Sequence, residues 1–371
     1  MLPWAPEFEK SDSAFQAAIA CLRRTGSDWF GDPDVELKPV RTYVGPFTRV
    51  LKARAVGGGR QKDVFIKRFV PITDGPDEFA RQHRYLASEL ERTRQAETAF
   101  ERTPRLAVPK VLACWPELLT LVTEGADGVR LDSLFRRLAI RRTREAFGAV
   151  WCAMYEAGAW LRQFQTKVPI CHPGVRRDHR AHVDVRLRAL VAAGAGGFTE
   201  QGRGEILHLF DRYARDAVIS ETRPVAIHSD FCPANILVRE DRLTVLDLAM
   251  SSDGSRYADL AHLNLHLKLL GRRWALRAST IDELEAALLA GFDPELGPSA
   301  PLFRQMLLGN VVNYLARCAQ DVSKGWFADR RMRRRIEWGI SVAAERGATP
   351  HRNRPIQSPD HPITRSPDFV I

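Results

Sequence analysis

The chain lacks the features that mark membrane-spanning, secreted and zinc-binding proteins. Within its 371 residues no apolar run approaches the ~18 residues that a membrane span requires. The six cysteines lie far apart and form no C-x-x-C pair, so neither a zinc site nor a disulfide framework is indicated. The first ten residues include Glu7 and Glu9 and do not show the basic-then-apolar order of a signal peptide. We expect a cytoplasmic protein.

Acidic residues are outnumbered by basic ones, which gives a net charge of +10. This balance disfavours polycationic partners and favours anionic ones, such as nucleotides, phosphorylated sugars, acidic glycolipids or a membrane surface. A nucleic-acid binder would show the same balance, but no recognisable nucleic-acid-binding motif accompanies the arginines. With 45% hydrophobic residues the chain can bury a substantial core and form two lobes.

Hydrophobic patterning changes character along the chain. Residues 1–36 predict an N-terminal helical extension, and residues 37–124 show short alternating runs typical of antiparallel strands, with one long charged helix. Residues 125–347 predict a mostly helical part, with helical spacing over residues 131–165, 203–217 and 257–345, and residues 348–371 have the composition of a disordered tail. A strand-rich part followed by a helix-rich part predicts an α+β fold.

One polar loop carries the strongest chemical signal. His228, Asp230 and Asn235 lie between two apolar runs, and Asp247 directly follows a further apolar run. Phosphoryl transfer from Mg-ATP needs such a set, because one carboxylate orients and deprotonates a hydroxyl while an Asn and a further Asp hold metal ions on the phosphates. The loop therefore indicates a kinase that acts on a hydroxyl group.

These residues fit a known pattern of three elements in order. H-x-D-x-x-x-x-N is followed by an apolar run ending in Asp, and then by G-x-x-x-x-D-L-A, here residues 254–261. The chain thereby resembles the aminoglycoside phosphotransferase and choline kinase branch of the protein-kinase-like fold. The resemblance implies a bilobal fold, with an antiparallel β-sheet N-lobe and a mostly helical C-lobe, and ATP and Mg²⁺ as cofactors.

The resemblance also assigns roles to matching residues. Asp230 takes the place of the catalytic base, and Asn235 and Asp247 take the places of the metal ligands. His228 and Asp259 match positions that support the loop through backbone hydrogen bonds. The residue two positions after Asp230 is a cysteine where protein kinases usually carry lysine, which disfavours a protein substrate.

Lys67 ends a Val-Phe-Ile-Lys strand pattern, where it can reach the nucleotide phosphates. Such a lysine normally pairs with a helix glutamate. Glu78, Gln82 and Glu89 share one face of the following helix, so helical spacing alone leaves the partner open, and we favour Glu78.

The segment around Glu124 resembles the hinge between kinase lobes, where the backbone of Glu124 and Ala126 would bind the adenine edge. No G-x-G-x-x-G is present to cover the phosphates, and residues 42–48 stand in the place of that loop.

The acceptor is expected to be a small molecule, a sugar, a glycan or a glycolipid, and to be anionic. Arg272, Arg273 and Arg277 in the helical region argue against a polycationic aminoglycoside. Two interpretations of the arginine-rich run 330–335 are possible. It forms a solvated helix face, or it binds the anionic surface of the inner membrane face. Two alternatives stay open: a catalytically silent kinase-like module that binds Mg-nucleotide, and, with less support, a nucleic-acid-binding protein.

Overall fold

The computed structural model describes residues 13–45, 47–73, 75–170, 178–217, 222–320 and 326–344. The strands are β1 Glu36–Val44, β2 Thr48–Gly57, β3 Arg60–Phe69, β4 Leu106–Ala107, β5 Val111–Trp115, β6 Thr120–Glu124, β7 Val129–Arg130, β8 Val225–Ile227, β9 Ile236–Arg239, β10 Arg242–Val245 and β11 Ser252–Gly254. The α-helices are α1 Ser13–Arg24, α2 Gly26–Trp29, α3 Pro76–Phe100, α4 Leu131–Arg141, α5 Arg144–Lys167, α6 His179–Ala192, α7 Glu200–Arg215, α8 Ala258–Arg273, α9 Ala278–Phe292, α10 Pro301–Gln320 and α11 Trp326–Ala344.

The N-terminal part is built on a five-stranded antiparallel sheet in the order β1-β2-β3-β6-β5. The meander predicted for β1 to β3 is confirmed. Gly58 and Gly59 join β2 to β3 with φ values of +52° and +72°. A two-residue hairpin turn needs positive φ at both central positions, so glycine is required there by conformation and not for phosphate binding.

Helix α1 packs on one face of this sheet. Its apolar side chains Phe15, Ala18, Ile19 and Leu22 recur at helical spacing and are all buried, in one cluster with side chains from β1, β2, β3 and β6. The predicted N-terminal extension is therefore a structural layer of the sheet, because it covers apolar residues that would otherwise face water.

The C-terminal part is helical and has α5 at its centre. Trp160 of α5 is fully buried and stacks on Phe100, Phe164 and Phe231, so it connects α3 and the loop after β8 to the helical core. Helices α5 and α9 approach closely because Gly291 has no side chain, and a Cβ at that position would lie 1.9 Å from the carbonyl oxygen of Tyr155. The α+β, bilobal prediction is confirmed.

A buried ion pair ties α3 to the helical part. Arg92 donates to Asp253 Oδ1 at 2.8 Å, and its guanidinium also donates to the carbonyl of Pro169. Asp253 lies in β11, which pairs with β8 immediately before the polar loop. Because removing one partner of a buried pair leaves an uncompensated charge, this contact holds α3 firmly against the strands that lead into the loop.

Helix α6 was not predicted, because the apolar side chains between positions 179 and 192 show almost no helical periodicity. Only Val183, Leu187 and Leu190 are buried apolar side chains on it, while Val185 is exposed.

The predicted tail, residues 348–371, lies outside the described residues, and the proposed division into an extension, two lobes and a tail stays a prediction. Among the described residues, no helix is long and apolar enough to cross a membrane.

We expect Leu22→Ala to lower the free energy of unfolding by about 2–5 kcal/mol, since it opens a cavity between α1 and the sheet. Chemical denaturation would measure the loss. Arg23→Ala, an exposed neighbour on the same helix, serves as the control and should change stability little. Equal stabilities for the two variants would show that α1 does not contribute to the core.

Candidate active site

The loop after β8 carries Asp230 and Asn235, and Asp259 at the start of α8 fixes its backbone. Asp259 Oδ2 accepts from the backbone N–H of His228 at 2.6 Å, and Oδ1 accepts from that of Ser229 at 2.8 Å. Ser229 has a φ of +69°, a left-handed conformation that costs about 1 kcal/mol or more and must be imposed by its surroundings. The predicted architectural role of Asp259 is confirmed.

His228 lies beneath the same loop and is fully buried. Its Nε2 bonds the carbonyl of Leu246 at 2.9 Å, and its Nδ1 accepts from the backbone N–H of Asp230 at 3.3 Å. Because a carbonyl can only accept, the ring hydrogen sits on Nε2. The His228 side chain thus joins the loop to Leu246, the residue before Asp247. Its predicted structural role is confirmed.

Asp230 and Asn235 face each other across the loop. The Nδ2 of Asn235 donates to both Asp230 Oδ2 and the Asp230 carbonyl at 3.0 Å. One carboxylate oxygen is therefore oriented by the amide, and the side chain of Asp230 is 49% exposed, which leaves its Oδ1 accessible. The two residues that the sequence placed five positions apart form one hydrogen-bonded pair.

Lys67 of β3 joins this region to the sheet. Its Nζ lies 2.7 Å from Asp247 Oδ1 and 2.8 Å from Glu89 Oε2. Asp247 has a φ of +66°, so its backbone also adopts a left-handed conformation at the point where β10 has ended. One ammonium group thus bridges a carboxylate of α3 and the second Asp of the motif.

The helix partner of Lys67 is Glu89, and the prediction of Glu78 was wrong. Glu78 lies near the N-terminus of α3, where its carboxylate accepts from Arg81, Gln82 and the backbone N–H of Ile72. The two glutamates share a helix face but are separated by three turns, and only the later one lies opposite the Lys67 side chain. Helical spacing could not decide which turn meets β3.

The charges of this cluster support one another. Burial by itself lowers the pKa of the Lys67 ammonium, but Glu89 and Asp247 together raise it above its ordinary value. Burial opposes the charge of Asp247 as well, yet Lys67 holds the pKa of that carboxyl below its usual range. Burial raises the pKa of Glu89, with Lys67 acting against the shift. A fixed cation therefore faces the space in which nucleotide phosphates would lie.

Asn235 and Asp247 supply oxygen ligands of the type that Mg²⁺ prefers. Their segments are joined by the bond from the backbone N–H of Leu246 to the carbonyl of Asn235, at 2.8 Å. Within the described ranges no group of three or more His, Cys, Asp or Glu side chains could hold a metal alone. This suits an ion that keeps waters and phosphate oxygens as its remaining ligands.

A cleft of about 450 Å³ lies between the sheet and the polar loop. Lys67, Asn235 and Asp247 line one end, and Glu124 and Ala126 line the other. The backbone N–H of Glu124 donates to the carbonyl of Lys110, and that of Gly125 donates to the carbonyl of Asp63. Apolar side chains from both parts of the chain form the walls, as expected for a planar base: Val50, Phe65, Leu121, Leu237, Val245 and Leu248.

A second cavity, of about 510 Å³, opens on the other side of the loop among α6, α7, α8 and α10. We call it the helical cavity. Its polar lining includes His179, His182, His262, Gln305, Asn310 and Asn313. Asp230 lines neither cavity itself, but it is bonded to Asn235, which lines the cleft, and its Oδ1 lies 3.8 Å from Nε2 of His262, which lines the helical cavity.

None of these polar lining residues was singled out from the sequence. His262 and His266 form an i, i+4 pair shortly after the D-L-A segment, and that pair was the available signal. Conversely, Arg272, Arg273 and Arg277 do not line the helical cavity. Arg272 stacks on Trp338 and Arg273 on Trp274, so these arginines give no argument about the acceptor.

Comparison with known proteins agrees with this geometry. Residues 56–296 match the phosphotransferase enzyme family, APH. The chain belongs to this family. It is a phosphotransferase that moves phosphate to a hydroxyl group, with ATP and Mg²⁺ as cofactors.

Solved structures show the same fold at low sequence identity. A choline/ethanolamine kinase family protein from Mesorhizobium loti is 15% identical with a TM-score of 0.53, covering 89% of this chain and 98% of its own. Choline kinase LicA from Streptococcus pneumoniae is 12% identical with a TM-score of 0.51, covering 89% of this chain and 100% of its own. A search of curated proteins finds no match.

We expect Glu89→Gln to lower kcat/KM for ATP by about 10-fold or more, which corresponds to ~1.4 kcal/mol, because it removes the charge that orients Lys67. Glu78→Gln is the matched control on the same helix and should stay within about 3-fold of wild type, below ~1 kcal/mol. Steady-state kinetics at saturating Mg²⁺ would measure both. A larger effect at Glu78 would restore the partner favoured from the sequence.

Proposed function

We propose that the protein is a kinase that transfers the γ-phosphoryl group of ATP to a hydroxyl of a sugar, a glycan or a glycolipid. The observation that carries this proposal is the position of Asp230, which is bonded to Asn235 of the cleft and lies 3.8 Å from His262 of the helical cavity. The cleft suits a nucleotide, and the described lining of the helical cavity has hydrogen-bonding side chains and no Lys or Arg. An acceptor in the helical cavity can present its hydroxyl to Asp230 while the phosphates lie beside Lys67.

In this proposal Asp230 is the catalytic base. Its Oδ1 takes the proton of the acceptor hydroxyl as the hydroxyl oxygen bonds to the γ-phosphorus, and the bond from phosphorus to the bridging oxygen of ADP breaks. Asn235 holds the other carboxylate oxygen, which keeps Oδ1 aimed at the acceptor. General-base catalysis of this kind contributes roughly 10²–10⁴-fold.

The other roles follow from position. Lys67 would bind phosphate oxygens, Asn235 and Asp247 would hold Mg²⁺, and the backbone of Glu124 and Ala126 would bind the adenine edge. Bound Mg²⁺ would neutralise the negative charge that develops on the phosphates. Asp247 must then exchange part of its contact with Lys67 for the metal, which its exposed side chain permits.

The two alternatives have less support. A catalytically silent module has no need for an intact and oriented Asp230, yet Asn235 and Asp259 both fix the loop that carries it. A nucleic-acid-binding function rests on net charge alone.

The basic surface of α11 supports a peripheral contact with an anionic membrane, as a glycolipid kinase in the cytoplasm would need. Arg330, Arg331, Arg333 and Arg334 are all exposed on this helix, whereas Met332 is buried. Each basic residue near an anionic surface contributes about 1 kcal/mol.

We expect Asp230→Ala to abolish turnover and to keep Mg-ATP binding, because Asp230 acts on the acceptor. Asp247→Ala should weaken Mg-ATP binding itself. Thermal stabilisation by ATP with and without Mg²⁺ measures binding, since a ligand at 100 times its Kd stabilises by about 2.7 kcal/mol. The reverse pattern would exchange the two roles, and stabilisation of wild type without turnover on any acceptor would favour the silent module.

We expect wild type to sediment with vesicles of anionic phospholipid at low salt, and to be released as salt screens the arginines. A variant with Arg330, Arg331, Arg333 and Arg334 changed to Gln should stay in the supernatant. The control is the double variant Arg141→Gln and Arg144→Gln. These two arginines are exposed on α4 and α5, far from α11 in the sequence. Vesicle binding that survives the α11 changes contradicts the proposed membrane contact.

A further inference from the structure

The charge of the helical cavity restricts what it can hold. Two carboxylates line it, Asp178 and Asp259. Both oxygens of Asp259 accept backbone N–H groups of the polar loop, and Asp178 Oδ1 caps α6 by accepting from Ala181 N at 2.9 Å. Among the described lining residues none is Lys or Arg. The described wall therefore has no cationic side chain, and its two carboxylates are both engaged by backbone N–H groups.

The uncharged groups are arranged for hydrogen bonding along the cavity. His182 Nε2 lies 3.1 Å from Asn313 Oδ1, so the Nδ2 of that asparagine stays available as a donor. Asn310 makes only a long contact, 3.4 Å, to the carbonyl of Ala258. Side chains that both donate and accept suit hydroxyl groups, which do the same.

His262 lies at the end of the cavity next to Asp230. Its Nε2 is buried and has no hydrogen-bond partner within the described structure. Unpaired buried polar atoms are rare and call for an explanation. The separation of 3.8 Å from Asp230 Oδ1 is too long for a direct bond, but one oxygen at about 2.8 Å from each atom could bond both after a small rotation of the ring.

The imidazole of His262 is neutral. Burial, with His266 and Arg317 nearby, lowers the pKa of His262 to about 3. A protonated ring would form an ion pair with Asp230 and weaken it as a base, whereas a neutral Nε2–H donates a hydrogen bond and leaves the carboxylate free. Asp230 can then accept the hydroxyl proton while His262 holds the hydroxyl oxygen.

Charged acceptors fit this wall poorly. A quaternary ammonium group is recognised by several aromatic faces, and Phe210 is the only phenyl, phenol or indole ring in the described lining. A polycationic amino sugar needs paired carboxylates, and a phosphate group needs Arg or Lys. The described lining has no Arg or Lys, and its two carboxylates, Asp178 and Asp259, are already engaged by backbone N–H groups.

We propose that the helical cavity binds the acceptor by an uncharged, polyhydroxylated group, and that His262 donates a hydrogen bond to the reacting hydroxyl beside Asp230. This inference rests on the proposed kinase function and specifies its substrate class. Any anionic part of the acceptor lies outside the cavity.

The test combines an acceptor panel with variants of His262. The panel contains methyl glucoside, maltose and myo-inositol as neutral polyols, choline as a quaternary amine, kanamycin as a polycation and glucose 6-phosphate as a phosphorylated sugar. ADP release is measured with each compound and with water alone. We expect Mg-ATP turnover above the rate with water for at least one neutral polyol and for none of the charged compounds.

Among the variants, His262→Phe should lower kcat with the accepted polyol by about 10²-fold, the scale of misplacing a reacting group by about 1 Å, because His262 positions the hydroxyl for attack. Its KM for ATP and its stabilisation by Mg-ATP should stay unchanged. His262→Gln, which keeps an N–H donor near the Nε2 position, should recover most of the loss. His266→Phe is the control, one turn further along α8 and in ring contact with His262, and should retain wild-type kcat.

Each failure points to a different error. Preferred turnover of choline, kanamycin or glucose 6-phosphate overturns the uncharged acceptor class, as does ATP hydrolysis without transfer to any neutral polyol. Unchanged kcat in His262→Phe, or an equal loss in His266→Phe, overturns the role of His262. Stabilisation of wild type by Mg-ATP with no ADP release under any condition refutes the kinase function on which the inference rests.

Discussion

The active-site architecture depends on one buried carboxylate. Asp259 accepts two backbone N–H groups at the start of the polar loop and thereby imposes the left-handed conformation of Ser229. Burial raises the pKa of its carboxyl, and the two backbone donors act against that shift. Without this contact the loop could relax toward ordinary backbone angles. Asp230 and Asn235 would then lose their common orientation, and the two cavities would no longer meet at one carboxylate.

Contacts between the sheet and the helical part complete the site. Lys67 reaches across to Asp247, and Arg92 pairs with Asp253 on the strand beside β8. Both ion pairs connect α3 or β3 to segments that flank the catalytic loop. Removing either partner of a buried or half-buried ion pair lowers stability strongly. These contacts therefore fix the position of the nucleotide cleft relative to Asp230.

The sequence predicted much of this arrangement because the decisive residues are close in the chain. Asp230 and Asn235 are five residues apart on one loop, and Asp247 follows the adjacent strand, so local order brings them together. The β1 to β3 meander was predictable from alternation and from the glycines of its turn. Burial of Phe15 and Leu22 followed from helical spacing.

Other features depended on contacts between distant elements. Glu78 and Glu89 lie on the same face of α3. Only the position of α3 against β3 decides that Glu89, and not Glu78, contacts Lys67. The helical cavity is formed by four helices far apart in the chain, one of which has too little periodicity to be predicted. The absence of Lys and Arg from its described lining could not be inferred from a net charge of +10, because net charge does not say where the basic residues lie.

The sequence by itself determined the class of chemistry, since phosphoryl transfer needs specific side chains at short spacings. Only the tertiary structure decided which glutamate orients Lys67 and which side chains meet the acceptor. The physical reason is that long-range packing sets which faces of separate helices converge. The neutral His262 beside Asp230 is a product of that convergence, because burial among α8 and its neighbours lowers its pKa and leaves its Nε2 without a hydrogen-bond partner among the described residues.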